Sequence, residues 1–153
     1  DADFGYGTVD SCTFINCGND AVDISGGKLN LSNTYFSIVK DKAISAGEES
    51  IMKINNCKIE NSSLGIISKD LSKVNTSNSS ISNCEIAYCA FQKKGEFGSA
   101  SIVATKNIES NCKKTHLIEF ESQLSLNDSI INEFEYNVID YLYGNIYGKA
   151  TVK

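Results

Sequence analysis

The residues best equipped for chemistry lie in three short runs: Asn19-Asp20-Ala21-Val22-Asp23, then Asp41-Lys42 with Ser45 and Glu48, then Lys69-Asp70 with Ser72. Asp20 and Asp23, three residues apart around a tight turn, can share a hard cation such as calcium, with Asn19 or backbone oxygens completing the shell. Acidic groups recur in the next two runs, so Asn19, Asp20, Asp23, Asp41, Glu48 and Asp70 form the candidate metal set. The same carboxylates can instead pair with Lys42 and Lys69. Unlike charges on adjacent rungs stabilise a stack, and such a ladder needs no ligand.

Either use requires the three runs to lie side by side, and an internal repeat supplies that. Ser11-Cys12-Thr13-Phe14, Asn33-Thr34-Tyr35-Phe36, Asn56-Cys57-Lys58-Ile59 and Asn78-Ser79-Ser80-Ile81 follow one another at spacings of 22, 23 and 22 residues. A leucine-rich repeat would need several leucines and often a helical turn per period. Here the runs are short, β-branched or aromatic, and cut by Gly, Asn and Ser, which points to a parallel coil. In such a coil each residue sits about 4.8 Å above its equivalent, so like residues stack in columns. Phe14, Phe36, Ile59 and Ile81 form an interior column, continued by Ile108 and Ile130, and Val22, Ile44, Ile67 and Cys89 form another. Ser11, Asn33, Asn56, Asn78, Thr105 and Asn127 form a corner column. Asn16, Asn61, Asn83 and Asn132 form a second, broken by Ile38 and Ser110. Asn suits corners because its amide bonds neighbouring backbone and tolerates unusual dihedrals. By this alignment Asp20 falls on Lys42 and Asn19 on Asp41. The fold expected is all-β, a single parallel β-helix over residues 1–153, with about six coils and a rod near 30 Å long.

The fourth run ends in Phe91-Gln92-Lys93-Lys94-Gly95-Glu96-Phe97-Gly98, read as a loop insertion over residues 93–99. Insertions in a solenoid emerge on one face, often the binding face. Tyr88, Phe91 and Phe97 with Lys93 and Lys94 would offer aromatic planes and ammonium donors to an acidic glycan, or the rings would pack on the coil wall. The tail residues Phe134, Tyr136, Tyr141, Tyr143 and Tyr147 read either as a carbohydrate ridge or as a lid over the open coil end. His116, the only histidine, has no Ser or Cys motif beside it and reads as a surface or edge residue.

A net charge of −5 and a pI of 4.9 argue against nucleic acid as a partner. No apolar run has the length of a membrane span. Six cysteines are present. Cys84 and Cys112 are the one pair on adjoining coils, and the six are expected as buried structural thiols. Neither end shows a clear cap, so flanking domains or end-to-end packing on another copy are expected.

The runs NDAVDIS, DKAISAGEES, LGIISKDLS and FQKKGEFG resemble the repeat region of secreted bacterial β-helix proteins found beside spore-coat kinase-like modules. More broadly, the pattern resembles the right-handed parallel β-helix proteins of the pectate-lyase-like superfamily, most closely over residues 5–100. The resemblance implies a right-handed coil, a secreted or cell-surface location, and a polysaccharide or cell-surface glycan as partner. Calcium-dependent pectate lyases carry the motif DDGxD followed by a lysine on a later coil. Here Asn19 replaces the first Asp and Ala21 the Gly. In that chemistry calcium binds the uronate carboxylate and acidifies the C5 proton, and a desolvated lysine removes it. Lys42 and Lys69 are the candidate bases, and the spacing does not choose between them. Three functions follow: a polysaccharide-binding module, with or without calcium; a calcium-dependent lyase or epimerase; and a structural or self-assembling rod.

Overall fold

Runs of β-branched and aromatic residues, cut every few positions by Asn, Ser, Asp or Gly, form short strands joined by tight bends. The computed structural model describes residues 1–144. Its first coil comprises β1 (Ala2–Asp3), β2 (Tyr6–Asp10) and β3 (Thr13–Ile15), and its second β4 (Val22–Ser25), β5 (Lys28–Ser32) and β6 (Tyr35–Ser37). The third holds β7 (Lys42–Gly47), β8 (Ile51–Asn55) and β9 (Lys58–Glu60), and the fourth β10 (Leu64–Lys69), β11 (Lys73–Ser77) and β12 (Ser80–Ser82). The fifth is β13 (Ile86–Phe91), β14 (Ser101–Thr105) and β15 (Ile108–Ser110). The sixth has β16 (Lys114–Ile118) and β17 (Gln123–Leu126), then β18 (Ser129–Ile130) and a short helix α1 (Val138–Tyr143).

Corresponding strands stack in parallel into three sheets: β1, β4, β7, β10, β13 and β16 in the first, β2 through β17 in the second, β3 through β15 in the third. The chain is thus a β-solenoid of about six turns. β18 turns back antiparallel on β17 and closes the second sheet at that end. Phe14, Phe36, Ile59 and Ile81 stack as one interior column, with the Phe14 and Phe36 rings parallel and 5.1 Å apart. Asn33, Asn56, Asn78 and Asn127 turn one corner and Asn16, Asn61 and Asn83 another, all with φ between 48° and 57°. In this left-handed region Asn is favoured because its short amide bonds locally. The amide of Asn56 donates to Asn33 (2.8 Å) and that of Asn83 to Asn61 (3.2 Å).

Several columns depart from the sequence alignment by one residue, and bends of unequal length account for it. Between β13 and β14 the chain spends nine residues, 92–100, where the two preceding coils spend three. The period there is therefore 28, from Ile81 to Glu109. Because side chains alternate, a slip of one residue reverses the face. Ile108 pairs with Ser80 and points outward, and Glu109 takes the inward place. Likewise Lys106 and Asn111, not Thr105 and Ser110, occupy the left-handed corners. Ile130 and Asn132 leave the columns because β18 reverses direction. In the first sheet the order is Val22, Ile44, Ile66, Tyr88. The bend after β7 (48–50) is one residue longer than that after β4 (26–27), but the bend after β9 (61–63) is one shorter than that after β6 (38–41). β10 therefore returns to a 22-residue spacing, and Ile67 and Cys89 face outward. All six cysteines are free. Cys57, Cys84 and Cys89 are buried and Cys17 and Cys112 half-buried, but Cys12, on the open first coil, is exposed.

Candidate functional site

The outer face of the first sheet divides along the rod. In coils four to six most of its outward residues are apolar: Leu64, Ile67, Ile86, Cys89, Phe91 and Leu117. α1 covers them through Val138 and Leu142, and Asn137 caps it by accepting the Asp140 N–H (3.3 Å). Towards coils two and three the same face is polar, and Tyr143 at the end of α1 stands over the boundary.

The polar part carries most of the residues singled out from the sequence. Lys42 donates to Asp41 Oδ2 (2.8 Å) and Asp20 Oδ1 (3.2 Å), and Asp20 also accepts the Lys42 backbone N–H (3.1 Å). Burial works against the Lys42 charge, but the phenol of Tyr143 and the carboxylates of Asp20 and Asp41 outweigh it. Its pKa stands above the ordinary lysine value. Burial, reinforced by Asp41, also outweighs Lys42 at Asp20 and raises that carboxyl. Lys42 therefore remains a cation and is a poor proton acceptor.

Lys69 lies over Gly47, where an added Cβ would come within 2.7 Å of its Cε. That glycine lets the stem reach back one coil, so the ammonium donates to Ser45 Oγ (3.0 Å) and stands 3.7 Å from Asp23 Oδ1. Asp23 Oδ1 is buried and accepts no hydrogen bond. Lys69 and Asp23 are therefore in charge contact rather than hydrogen-bonded.

The 92–100 loop brings Lys93 to this face, its ammonium 4.8 Å from the Tyr143 ring centre, near Lys42 at 5.8 Å from the same ring. Asp70 anchors the loop by accepting the backbone N–H groups of Lys93 (2.6 Å) and Lys94 (2.7 Å), and Lys94 pairs with Glu48. Partial burial, then the charges of Lys69 and Lys42, lower the Lys93 pKa. Unlike Lys42, Lys69 and Lys94, Lys93 has no carboxylate at ion-pair distance among the described residues.

The fold thus gathers Asp20, Asp23, Asp41, Lys42 and Lys69 on one face, with Lys93 at its rim. Glu48 and Asp70 sit at the adjacent corner supporting the loop, and Asn19 is exposed in the bend before β4. The donor set does not fit a calcium ion. Among the described residues no three Asp, Glu, His or Cys side chains converge to hold a metal. Asp20, Asp23 and Asp41 face ammonium groups, Glu48 faces Lys94, and Asp70 faces backbone N–H groups. Of the ring residues offered as ligand contacts, Tyr88 and Phe91 are fully buried. Tyr88 points into the core, where it donates to Glu109 and accepts from Asn107 (2.9 Å), and Phe91 lies among the residues covered by α1. Phe97 is half-buried, and Lys93 and Lys94 are exposed. Tyr141 and Tyr143 pack with the lid, while Tyr147 lies outside the described residues.

The special position of Lys93 was not legible as such: its neighbours Lys42 and Lys69 come from earlier coils, and Tyr143 from a helix that crosses the sheet. No curated protein and no solved structure matches the chain. The family described as "Right handed beta helix region" matches residues 2–92, more than half of the 153 residues. With its parallel sheets and stacked corners, the chain belongs to the right-handed β-helix family.

Proposed function

We propose that the protein is a non-catalytic module of a secreted or cell-surface protein, of the pectate-lyase-like superfamily, that binds acidic polysaccharide. A uronate carboxylate is received by Lys93. The observation that carries this reading is the state of that ammonium: it is at the surface, is crowded by two other lysines, and has no carboxylate at ion-pair distance among the described residues. An anionic ligand group would relieve the crowding and form a charge-assisted hydrogen bond. The neighbouring acids and lysines neutralise one another and act as the frame. Display beside spore-coat kinase-like modules, as the resemblance of the repeat runs to such proteins implies, suits a surface-binding role.

Calorimetric titration of the chelator-treated protein with oligogalacturonate and with a neutral glucan tests this. The acidic oligomer binds and the glucan does not, and Lys93→Ala weakens binding about tenfold or more. Affinity declines as pH rises towards the lowered Lys93 pKa, where the ammonium loses its proton. No binding of the acidic oligomer to the unaltered protein sinks the proposal. The lowered pKa also favours one second reading, in which Lys93 rather than Lys42 or Lys69 is the base of a lyase. Release of unsaturated uronate, abolished by Lys93→Ala, would replace binding with that activity.

A further inference from the structure

The sixth coil exposes three aromatic rings that pack on one another: Phe120 (51% exposed), Phe134 (39%) and Tyr136 (83%). Phe120 lies nearly parallel to Tyr136 at 5.5 Å and edge-on to Phe134 at 6.1 Å. Backbone bonds fix this group: Glu135 N–H donates to Ile118 (2.8 Å), and Phe120 N–H to Glu135 (3.1 Å). Phe134 also lines a cavity of about 260 Å³ whose other walls include Lys114, His116, Glu133 and Glu135. His116 Nε2 lies 3.4 Å from Glu133 and Lys114 Nζ 3.8 Å from Glu135. His116 Nδ1 is buried and has no hydrogen-bond partner.

An aromatic platform beside a cavity rich in donors and acceptors matches a ligand with one apolar face and a rim of hydroxyls. That is the chemistry of a pyranose ring, whose C–H face lies on the π surface while its hydroxyls meet carboxylate and imidazole. Two carboxylates, Glu133 and Glu135, against the one ammonium of Lys114 make the cavity acidic and disfavour a uronate, so the ring is an uncharged one. The platform adjoins the Lys93 loop. Ala90 of β13 pairs with Ile118 of β16, and Glu119 accepts the Gln92 N–H (2.6 Å), so the loop and Phe120 leave consecutive coils at the same corner. The Lys93 ammonium itself reaches back over Tyr143 towards Lys42 and Lys69 of the third and fourth coils. It therefore lies roughly two to three rungs, on the order of 10–15 Å, from the platform, a span of about two or three sugar rings.

We infer that Phe120, Phe134, Tyr136 and the adjoining cavity form a subsite for a neutral pyranose of the same oligosaccharide whose uronate is held at Lys93, so that the ligand alternates acidic and uncharged sugars. This rests on the Lys93 reading. The test is calorimetry with two probes of equal length, a hyaluronan oligosaccharide, which alternates uronate with N-acetylhexosamine, and an oligogalacturonate. The unaltered protein, Lys93→Ala, Tyr136→Ala and Phe134→Ala are compared. The hyaluronan oligosaccharide binds about fivefold tighter than the homopolymer. Tyr136→Ala and Phe134→Ala remove that preference while leaving the homopolymer affinity unchanged, and Lys93→Ala weakens both. If the unaltered protein binds neither probe, the Lys93 reading falls and the subsite with it. If both bind equally and only Lys93→Ala matters, the Lys93 reading stands and the subsite is overturned. Sedimentation in which Tyr136→Ala dissociates an oligomer, with glycan affinities unchanged, also overturns it and makes the rings a self-association surface.

Discussion

At Ile38 a β-branched side chain occupies a left-handed backbone (φ 57°) that its column otherwise gives to Asn16, Asn61, Asn83 and Asn111. The side chain is half exposed, so its packing returns little of the conformational cost. Ile38→Gly should raise stability by about 1 kcal/mol, read as a higher urea midpoint with unchanged slope. A lower midpoint would mean that the contacts Ile38 keeps outweigh the strain. Lys42 presents the opposite case, a side chain surrounded by what it needs. Lys42→Met leaves the largely buried Asp20 and Asp41 without their shared cation and should cost about 3 kcal/mol at neutral pH. The sign of the pH response follows from Asp20, whose carboxyl is already raised by burial. A folded-state pKa above the unfolded value means the native protein takes up the proton first, so lowering pH stabilises the variant. The deficit should therefore shrink as pH falls from neutrality towards the ordinary Asp value of 3.8. A deficit independent of pH would assign the loss to packing of the lysine stem.

Among the elements, α1 is the one whose presence changes how a whole face is read. Outward Leu64, Ile67, Ile86, Cys89 and Leu117 would form an exposed apolar stripe on the first sheet without it. A helix of six residues has little stability of its own, so it persists through this packing. Val138→Asp places a carboxylate in the cover and should release it while the solenoid keeps its strand signal. Cys89, fully buried and with its thiol pKa raised by that burial, should then react with a thiol reagent about tenfold faster or more. Cys12, exposed on the first coil, reports the unhindered rate in both proteins. Equal Cys89 rates would show that α1 does not control access. Gly65 in β10 matters for a different reason: a Cβ there would approach the Ala87 carbonyl oxygen to 2.4 Å, so this inward position admits only glycine.

Over the whole molecule, stability should follow the number of neighbouring coils. Strands β7, β10 and β13 are paired on both sides. Among the described residues the first coil pairs with a neighbouring coil on one side, and its second strand is exposed along most of its length. In a stack where each coil contacts its neighbours, opening is cheapest at the ends. Hydrogen exchange should therefore be slowest in coils three to five and fastest in β1, β3 and β18. Uniform protection along the rod would indicate a single cooperative unit or ends covered by association. The irregular bends have a global effect as well. The long turn after β13 carries Lys93 to the polar face and sets the register of every later strand, which is how Glu109 comes to meet Tyr88.

The coil, its period and its corners were legible in the sequence because they depend on local patterns repeated at fixed spacing. Asn at left-handed bends and apolar residues every 22 or 23 positions specify a parallel stack whatever surrounds it. Asp20 over Lys42 was legible for the same reason, since adjacent rungs bring equivalent positions together. Register beyond an insertion was not. One residue in a bend has almost no local signature, yet it turns Ile108 outward and Glu109 inward. The outward columns were also undecided, because an apolar outward residue means exposure or a lid, and only the return of α1 across the sheet makes Cys89 and Phe91 buried. The meeting of Lys42, Lys69 and Lys93 beside Tyr143 joins residues from three coils and a later helix. That contact depends on how the chain crosses itself, which no local pattern encodes.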